Sequence, residues 1–437
     1  MKKIDKTTIT AAIKQIAKYC VIFIIMLLLF CIGMVATYAL PNGRIQAHIE
    51  ESKDILFNLN GNPLFGKYIE NAKLDEFTDL LIINTAMNKG KEANESILVR
   101  AFENSRFSNE DGNQYSSLEQ TINNGELYNN QEYSRYWHGI QTIIRPLLLF
   151  FNYEEIRYLF MIIMFALLTI ATISISKNLN TIHSLAFVFT MIAVGFFIVP
   201  ASIQYTGIFA IMLITVILVN ILYKLQKEKL YPYLFFIIGG VTTFFDLLTA
   251  PLLTLGIPLI YVILLKNKRE SNLKKSIFEV IKLSILWCIA YGGIFLAKWV
   301  IASIILQRDV ITVAINQILF RTNGSVEYPA TKLGAIKENI GVLYNTVLLG
   351  LFIVISIIWA VFMVINRKKI SNMKIVISLL LVAIYPYVWY ITFAGHSTIH
   401  AWFTYRIQAI AILGILSAMI ECIDIDKGKF KLLKTKF

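Results

Sequence analysis

The chain has 437 residues, of which 57% are hydrophobic and only 16% charged, well below the roughly 25% charged residues of soluble domains. Apolar runs near the roughly 20 residues needed to cross a bilayer recur along it, which excludes an ordinary soluble enzyme and predicts an all-α polytopic membrane protein. The formal charge of +13 does not imply a nucleic-acid partner, because the basic residues sit in short clusters between apolar runs, as the positive-inside rule describes.

Residues 1–18 carry Lys2, Lys3, Lys6, Lys14 and Lys18 and are placed in the cytoplasm. Residues 19–40 form a first transmembrane helix, too long for a signal-peptide core and without a small-residue cleavage site before Pro41-Asn42. This helix delivers residues 41–154 to the outside as a large, mostly helical extracytoplasmic loop domain. Its stretch 42–139 holds 15 of the 28 acidic and 9 of the 41 basic residues, a net of −6 against +19 for the rest of the chain. Within it, 45–59 and 76–87 show apolar residues at three-to-four spacing and predict helices. Asp75, Glu76, Thr78 and Asp79 fall at a helix start, where carboxylates suit the macrodipole. Residues 107–131, rich in Asn, Ser, Gly and Gln, predict an irregular connector. The run 140–151 is apolar but short, with Arg145-Pro146 inside it, and predicts an interfacial helix on the outer leaflet.

The remainder, 155–423, predicts a transmembrane bundle with helices at about 155–175, 181–199, 203–223, 232–249, 250–266, 279–305, 341–366, 374–393 and 404–423. With the first helix this makes about ten spans. An outer loop occupies 307–339 and a basic cytoplasmic tail 424–437. Both termini fall inside, giving a multi-pass protein of the cell membrane. Residues 231–265 would overshoot a bilayer as one helix, so Gly239-Gly240, Asp246 and Pro251 predict a split at 246–251. Non-helical backbone at that depth is tolerated only where it is buried in protein or lines a cavity. Cys20, Cys31, Cys288 and Cys422 lie in or beside apolar runs and suggest neither a disulfide framework nor a zinc site.

Asp246 is the sharpest single signal, a carboxylate in an otherwise apolar stretch. Such a residue costs roughly 2.5–3.5 kcal/mol on insertion scales and usually faces a polar cavity; the plainer reading is a capping aspartate before Pro251. Asp75, Asp79 and Glu50 are further candidates for a general base tuned by partial burial. Arg135, His138 and Arg145 gather at the end of the loop, and His396, His400 and Arg406 link the last two helices. Arginine offers a planar fork matched to phosphate oxygens. An aromatic belt accounts for Trp137, Trp402 and Tyr405 but not for Arg406, which sits on the outer side against the charge rule. His396 and His400, four apart, can share a helical face and bind a divalent metal. With no acidic or thiol ligand near them in sequence, no metal or other cofactor is assigned.

A first helix, a large acidic outer loop, amphipathic helices on the membrane and about ten spans together resemble the GT-C superfamily of membrane glycosyltransferases, which use polyprenyl-phosphate-linked sugars. The resemblance covers the whole chain as architecture. It implies transfer of a sugar from a polyprenyl-phosphate carrier to a cell-envelope glycan or lipid acceptor on the outer face. In that scheme an outer-face carboxylate deprotonates the acceptor hydroxyl, Arg135, Arg145, His396, His400 or Arg406 hold the lipid phosphate, and the isoprenoid tail lies in a groove between helices. Where the family often carries an Asp pair soon after helix one, this chain has Glu50, Glu51 and Asp54. A polysaccharide polymerase or ligase fits the same layout. A lipid-glycan flippase needs mid-membrane polar residues or a two-fold repeat, and neither is evident. The enzyme reading requires Asp246 to lie within about two helix diameters, roughly 20–24 Å, of the 138–145 or the 396–406 stretch.

Overall fold

Helix α1 (Lys6–Tyr38) runs 33 residues without a proline, and the stretch that follows folds back over its C-terminal end. The computed structural model describes residues 6–58, 73–87, 90–92, 95–124, 130–270, 272–344, 350–358, 361 and 373–422, all helix, turn and loop with no strand among them. The loop region contains α2 (Asn42–Glu51), α3 (Lys53–Asn58), α4 (Glu76–Ala86), α5 (Ile97–Glu103) and α6 (Gln114–Asn123). Helix α4 starts where the carboxylate pattern predicts, with Asp75 accepting from Thr78 N at 3.0 Å. Helix α6 replaces part of the expected irregular connector. Asn113 caps it by accepting from Tyr115 N at 2.8 Å, and Leu118 is fully buried against the core that holds Leu80. Tyr115 and Ile122 pack against the same core, a short apolar strip that the surrounding polar residues concealed.

Helix α7 (Gln141–Leu147) also differs from expectation, being only 7 residues long. It is not laid on a surface by its whole length: Ile144, Arg145 and Leu148 are completely buried, while Phe150 and Phe151 beyond it are exposed. A buried guanidinium needs acceptors, and the carbonyls at the end of α1 and of α4 supply them.

Six helical stretches are long and apolar enough to cross a membrane among the described residues: α1, α8 (Tyr153–Asn178), α10 (Ile203–Lys224), α13 (Leu273–Leu306), Met373–Thr392 and Ala401–Cys422. The expected spans at 181–199, 232–249 and 250–266 are shorter helices. Helix α9 (Thr181–Ala193) ends near Gly195, whose φ of 73° leads into a 3-10 turn. Helices α11 (Tyr231–Phe245) and α12 (Leu253–Asn267) have 15 residues each, about 22 Å of rise against a hydrocarbon core of roughly 30 Å. Of the expected span 341–366, residues 345–349, 359–360 and 362–366 lie outside the described residues, as does the tail 424–437.

The predicted break between α11 and α12 is present, and the two helices are antiparallel. Thr242 Oγ1 meets Thr254 Oγ1 at 2.7 Å near the turn, while at the far end Lys266 Nζ sits 5.8 Å above the Tyr231 ring. Helix α12 is buried on every side from Leu253 to Leu265, which explains its lack of a polar face. Helix α11 runs parallel to α13 in close contact. A Cβ on Gly239 would lie 2.3 Å from Trp287 O, and one turn on Thr243 donates to Tyr291 O at 2.8 Å.

The bundle therefore has two chemically distinct ends. One gathers Lys266–Glu279, Arg269–Glu228 and His183–Glu421 pairs. The other carries the loop helices and α7. It also holds α14 (Val310–Asn323), α15 (Lys332–Leu343) and the short helix Ala394–Ile399 between the last two long stretches.

Candidate active site

At the loop end, the turn from Asp246 to Leu252 is the meeting point. Gly139 N donates to Phe244 O at 2.8 Å, and a Cβ on Gly139 would lie 2.5 Å from that same oxygen. On the other side His396 Nε2 stands 2.7 Å from Leu248 O. Both distant stretches of sequence thus reach within two residues of Asp246, well inside two helix diameters.

Asp246 closes α11 and is buried. Its Oδ1 accepts from Thr249 N at 3.0 Å, so part of its role is the capping expected of a turn aspartate. Its Oδ2 is buried and has no hydrogen-bond partner among the described residues. Burial pushes the carboxyl up to about 7, against the pull of the Thr249 hydrogen bonds. Leu248 adopts the left-handed region, φ 67°, a conformation that costs a non-glycine residue on the order of 1–3 kcal/mol. The His396 contact and the Asp246–Thr249 bond hold it there.

His396 leads to a cation that the sequence reading did not single out. Arg321, near the end of α14, places Nη1 3.0 Å from His396 Nδ1 and 2.6 Å from His400 Nε2. A guanidinium only donates, so both imidazoles accept, and His396 then donates from Nε2 to Leu248 O. Burial, with Arg321 close by, holds His396 down at about 3 and His400 at about 2. The two histidines are neutral and grip Arg321 instead of carrying charge themselves. Gly395 makes this possible: a Cβ there would lie 2.5 Å from Phe320 O. Among the described residues, no group of three or more His, Cys, Asp or Glu is placed to hold a metal.

Arg321 lines a cavity of about 200 Å³ together with Arg135, Leu248, Tyr291, Phe295 and Trp299. Arg135 lies over the Tyr133 ring at 4.4 Å, and its carbonyl is fixed by Trp299 Nε1 at 2.9 Å. The Tyr291 hydroxyl is buried without a hydrogen-bond partner among the described residues and lies within electrostatic reach of Asp246. His138 stands beside this group, φ 55°, its ring edge-on to Tyr133 at 4.7 Å. Burial, then Lys298, Arg106 and Arg135, keep it neutral, well below the usual imidazole range.

The other predicted residues lie elsewhere. Asp79 is buried under four donors: Tyr153 Oη at 2.7 Å, Ser202 Oγ at 3.0 Å, Ile203 N at 2.9 Å and Gln204 N at 3.1 Å. It thereby caps the N-terminus of α10. The Gln204 side chain continues to Thr249 Oγ1, which links this cap to the Asp246 turn. Burial, followed by the nearby Asp79 charge, pushes Asp75 up to about 7 and Glu76 up to about 8. Arg406 is fully buried against Tyr205, 3.9 Å from the ring centre, and donates to Trp402 O at 3.0 Å. It faces Asp75, not the cavity. Arg145 donates to Thr37 O at 3.1 Å, to Asn42 Oδ1 at 2.7 Å and to Ala86 O, a clamp between α1, α4 and α7. Glu50 is exposed on α2.

No protein-family model, no curated protein and no solved structure matches the chain.

Arg321 was legible only indirectly, as an arginine in an apolar helix within the expected outer loop. Gln204 and Thr249 carried no signal, since each sits in an apolar run and gains meaning only from the other.

Proposed function

We propose that the chain is an integral membrane glycosyltransferase that moves a sugar from a polyprenyl-phosphate carrier to a cell-envelope glycan or lipid acceptor at the outer face. The observation that carries this reading is an oxygen of Asp246 without a hydrogen-bond partner among the described residues, two residues from Leu248, which lines an apolar cavity together with Arg135 and Arg321. In this reading the loop end is extracytoplasmic, both termini are cytoplasmic, and the α11–α12 hairpin with α9 completes a bundle of about ten membrane segments.

Asp246 Oδ2 takes the proton from the acceptor hydroxyl, whose oxygen bonds to the anomeric carbon. The bond from that carbon to the phosphate oxygen breaks, and the electron pair leaves on the lipid phosphate. Arg321 and Arg135 stabilise the growing negative charge, which fixed donors do best in a site poor in water. Phe295, Trp299 and Phe393 offer an apolar wall for the first isoprenoid units. A lipid-borne donor also suits a chain without a nucleotide-binding glycine motif.

The test incubates the purified protein with a panel of polyprenyl-phosphate sugars and follows release of the lipid phosphate. Release by the wild type and none by Asp246→Asn is expected; release that survives the substitution removes Asp246 from the reaction. A cysteine introduced at Ser116 should react with an impermeant reagent from outside the cell.

A further inference from the structure

A second crevice, of about 530 Å³, opens at the opposite end of the bundle between α1 and the beginnings of α11 and α13. Its lining is unusual in charge. Lys229 and Lys282 face it, and no carboxylate among the described residues does. Neither lysine has an ion pair among the described residues. The neighbouring crevice of about 340 Å³ behaves in the opposite way. There Lys266, Arg269 and Lys275 are each matched by a glutamate, Glu279, Glu228 and Glu270. Positive charge at this end of the bundle is thus neutralised in one crevice and left open in the other.

The open crevice also has an apolar wall. Phe278, Ile281 and Ile285 occupy one strip of α13 at three- and four-residue spacing, all exposed, with Lys282 among them. The back is rigid: the Tyr19 and Tyr233 rings stand 5.3 Å apart, and Tyr233 Oη donates to Gln15 Oε1 at 3.1 Å. Two cations above an apolar strip match a phosphate that carries hydrocarbon, and basic pockets between transmembrane helices take acidic lipid headgroups in this way.

We propose that this crevice binds an anionic glycerophospholipid, its phosphate between Lys229 and Lys282 and an acyl chain along Phe278, Ile281 and Ile285. The lysine stems run along the apolar wall and lift their ammonium groups to headgroup level. This site is independent of the glycosyltransferase reading and stands or falls separately from it.

The experiment is native mass spectrometry of the full-length protein from detergent, titrated with phosphatidylglycerol or with phosphatidylcholine of the same chains. Phosphatidylglycerol should be retained in preference. Lys229→Gln with Lys282→Gln should weaken that retention by about tenfold or more, whereas Lys266→Gln with Lys275→Gln, which removes the same charge from the paired crevice, should leave it unchanged. Phe278→Ala should weaken long-chain lipid with the melting temperature unaltered. Equal retention of both lipids, an unchanged first double variant, or an equal loss in the control variant would overturn the proposal. So would displacement of the lipid by millimolar inorganic phosphate, which would mark a free-anion site.

Discussion

Asp79 and Asp246 are both buried carboxylates at the loop end of the bundle, joined through Gln204 and Thr249, yet their surroundings differ in one decisive respect. Asp79 is saturated by four donors, whereas Asp246, two residues from the cavity-lining Leu248, keeps one oxygen without a partner among the described residues. The same contrast separates the arginines. Arg145 is consumed by carbonyls at the ends of α1 and α4 and by the Asn42 side chain, whereas Arg321 is gripped by two neutral imidazoles and faces open space. Burial alone therefore does not mark a reactive group. A saturated buried charge holds elements together, and an unsaturated one is available to a ligand.

That contrast can be broken experimentally, beginning with the largest effect. Asp79→Ala strands the donors of Tyr153, Ser202, Ile203 and Gln204, and a loss of roughly 3–5 kcal/mol is expected, comparable with much of a domain's stability. The variant should fail to yield monodisperse protein in detergent, while Asp79→Asn recovers part of the loss. A melting curve for Asp79→Ala that overlays the wild type would show the cap to be dispensable.

Asp246→Asn should do the reverse. Its side-chain oxygen still accepts from Thr249 N, so the melting temperature stays near that of the wild type while transfer falls by about 10²–10⁴-fold. Comparable losses of folding and transfer would place Asp246 with Asp79 as a purely structural group.

Next comes Arg321→Ala, which on the proposed reading removes a charge-assisted contact to the donor phosphate and should weaken donor binding about 10- to 100-fold. Arg145→Ala should instead lower stability and leave the donor affinity of the surviving folded protein alone. Equal affinity loss in the two variants would erase the distinction between clamp and site.

The pH dependence is the smallest effect. Asp246 must be ionised to act as a base, so with its carboxyl at about 7 the apparent kcat/KM should climb with pH up to about 7 and level off above it. His396 and His400, held at about 3 and about 2, should add no inflection between pH 5 and 9. Glu76 is raised to about 8. The folded state thus holds that proton more tightly than the unfolded chain, and the resulting stability is lost as pH rises through the folded value. Glu76→Gln should flatten this decline. A rise in wild-type melting temperature from pH 6 to pH 9 would contradict the burial of Glu76.

Much of the architecture was legible because membrane burial writes itself into composition: long apolar runs, basic punctuation and the conflict of Asp246 and Pro251 with a 35-residue helix. The break between α11 and α12 and the capped start of α4 were accessible this way, whereas the approach of the 138–145 and 396–406 stretches to Asp246 was a condition of the enzyme reading that only the structure supplied. Helix α6 escaped notice because its inward strip, Tyr115, Leu118 and Ile122, spans only two turns and is set among polar residues. The inward turn of Arg145 was hidden because an arginine beside a proline reads the same on a surface or in a clamp.

Sequence alone determined that this chain is a helical membrane protein with a large polar loop at one end, since the cost of leaving apolar residues in water and charged ones in lipid acts on each residue where it stands. Which charges are spent on structure and which remain open was decided only by tertiary packing, because the partners that saturate Asp79 or hold Arg321 lie 74 to 125 residues away and hydrogen-bonding capacity is counted in space, not along the chain.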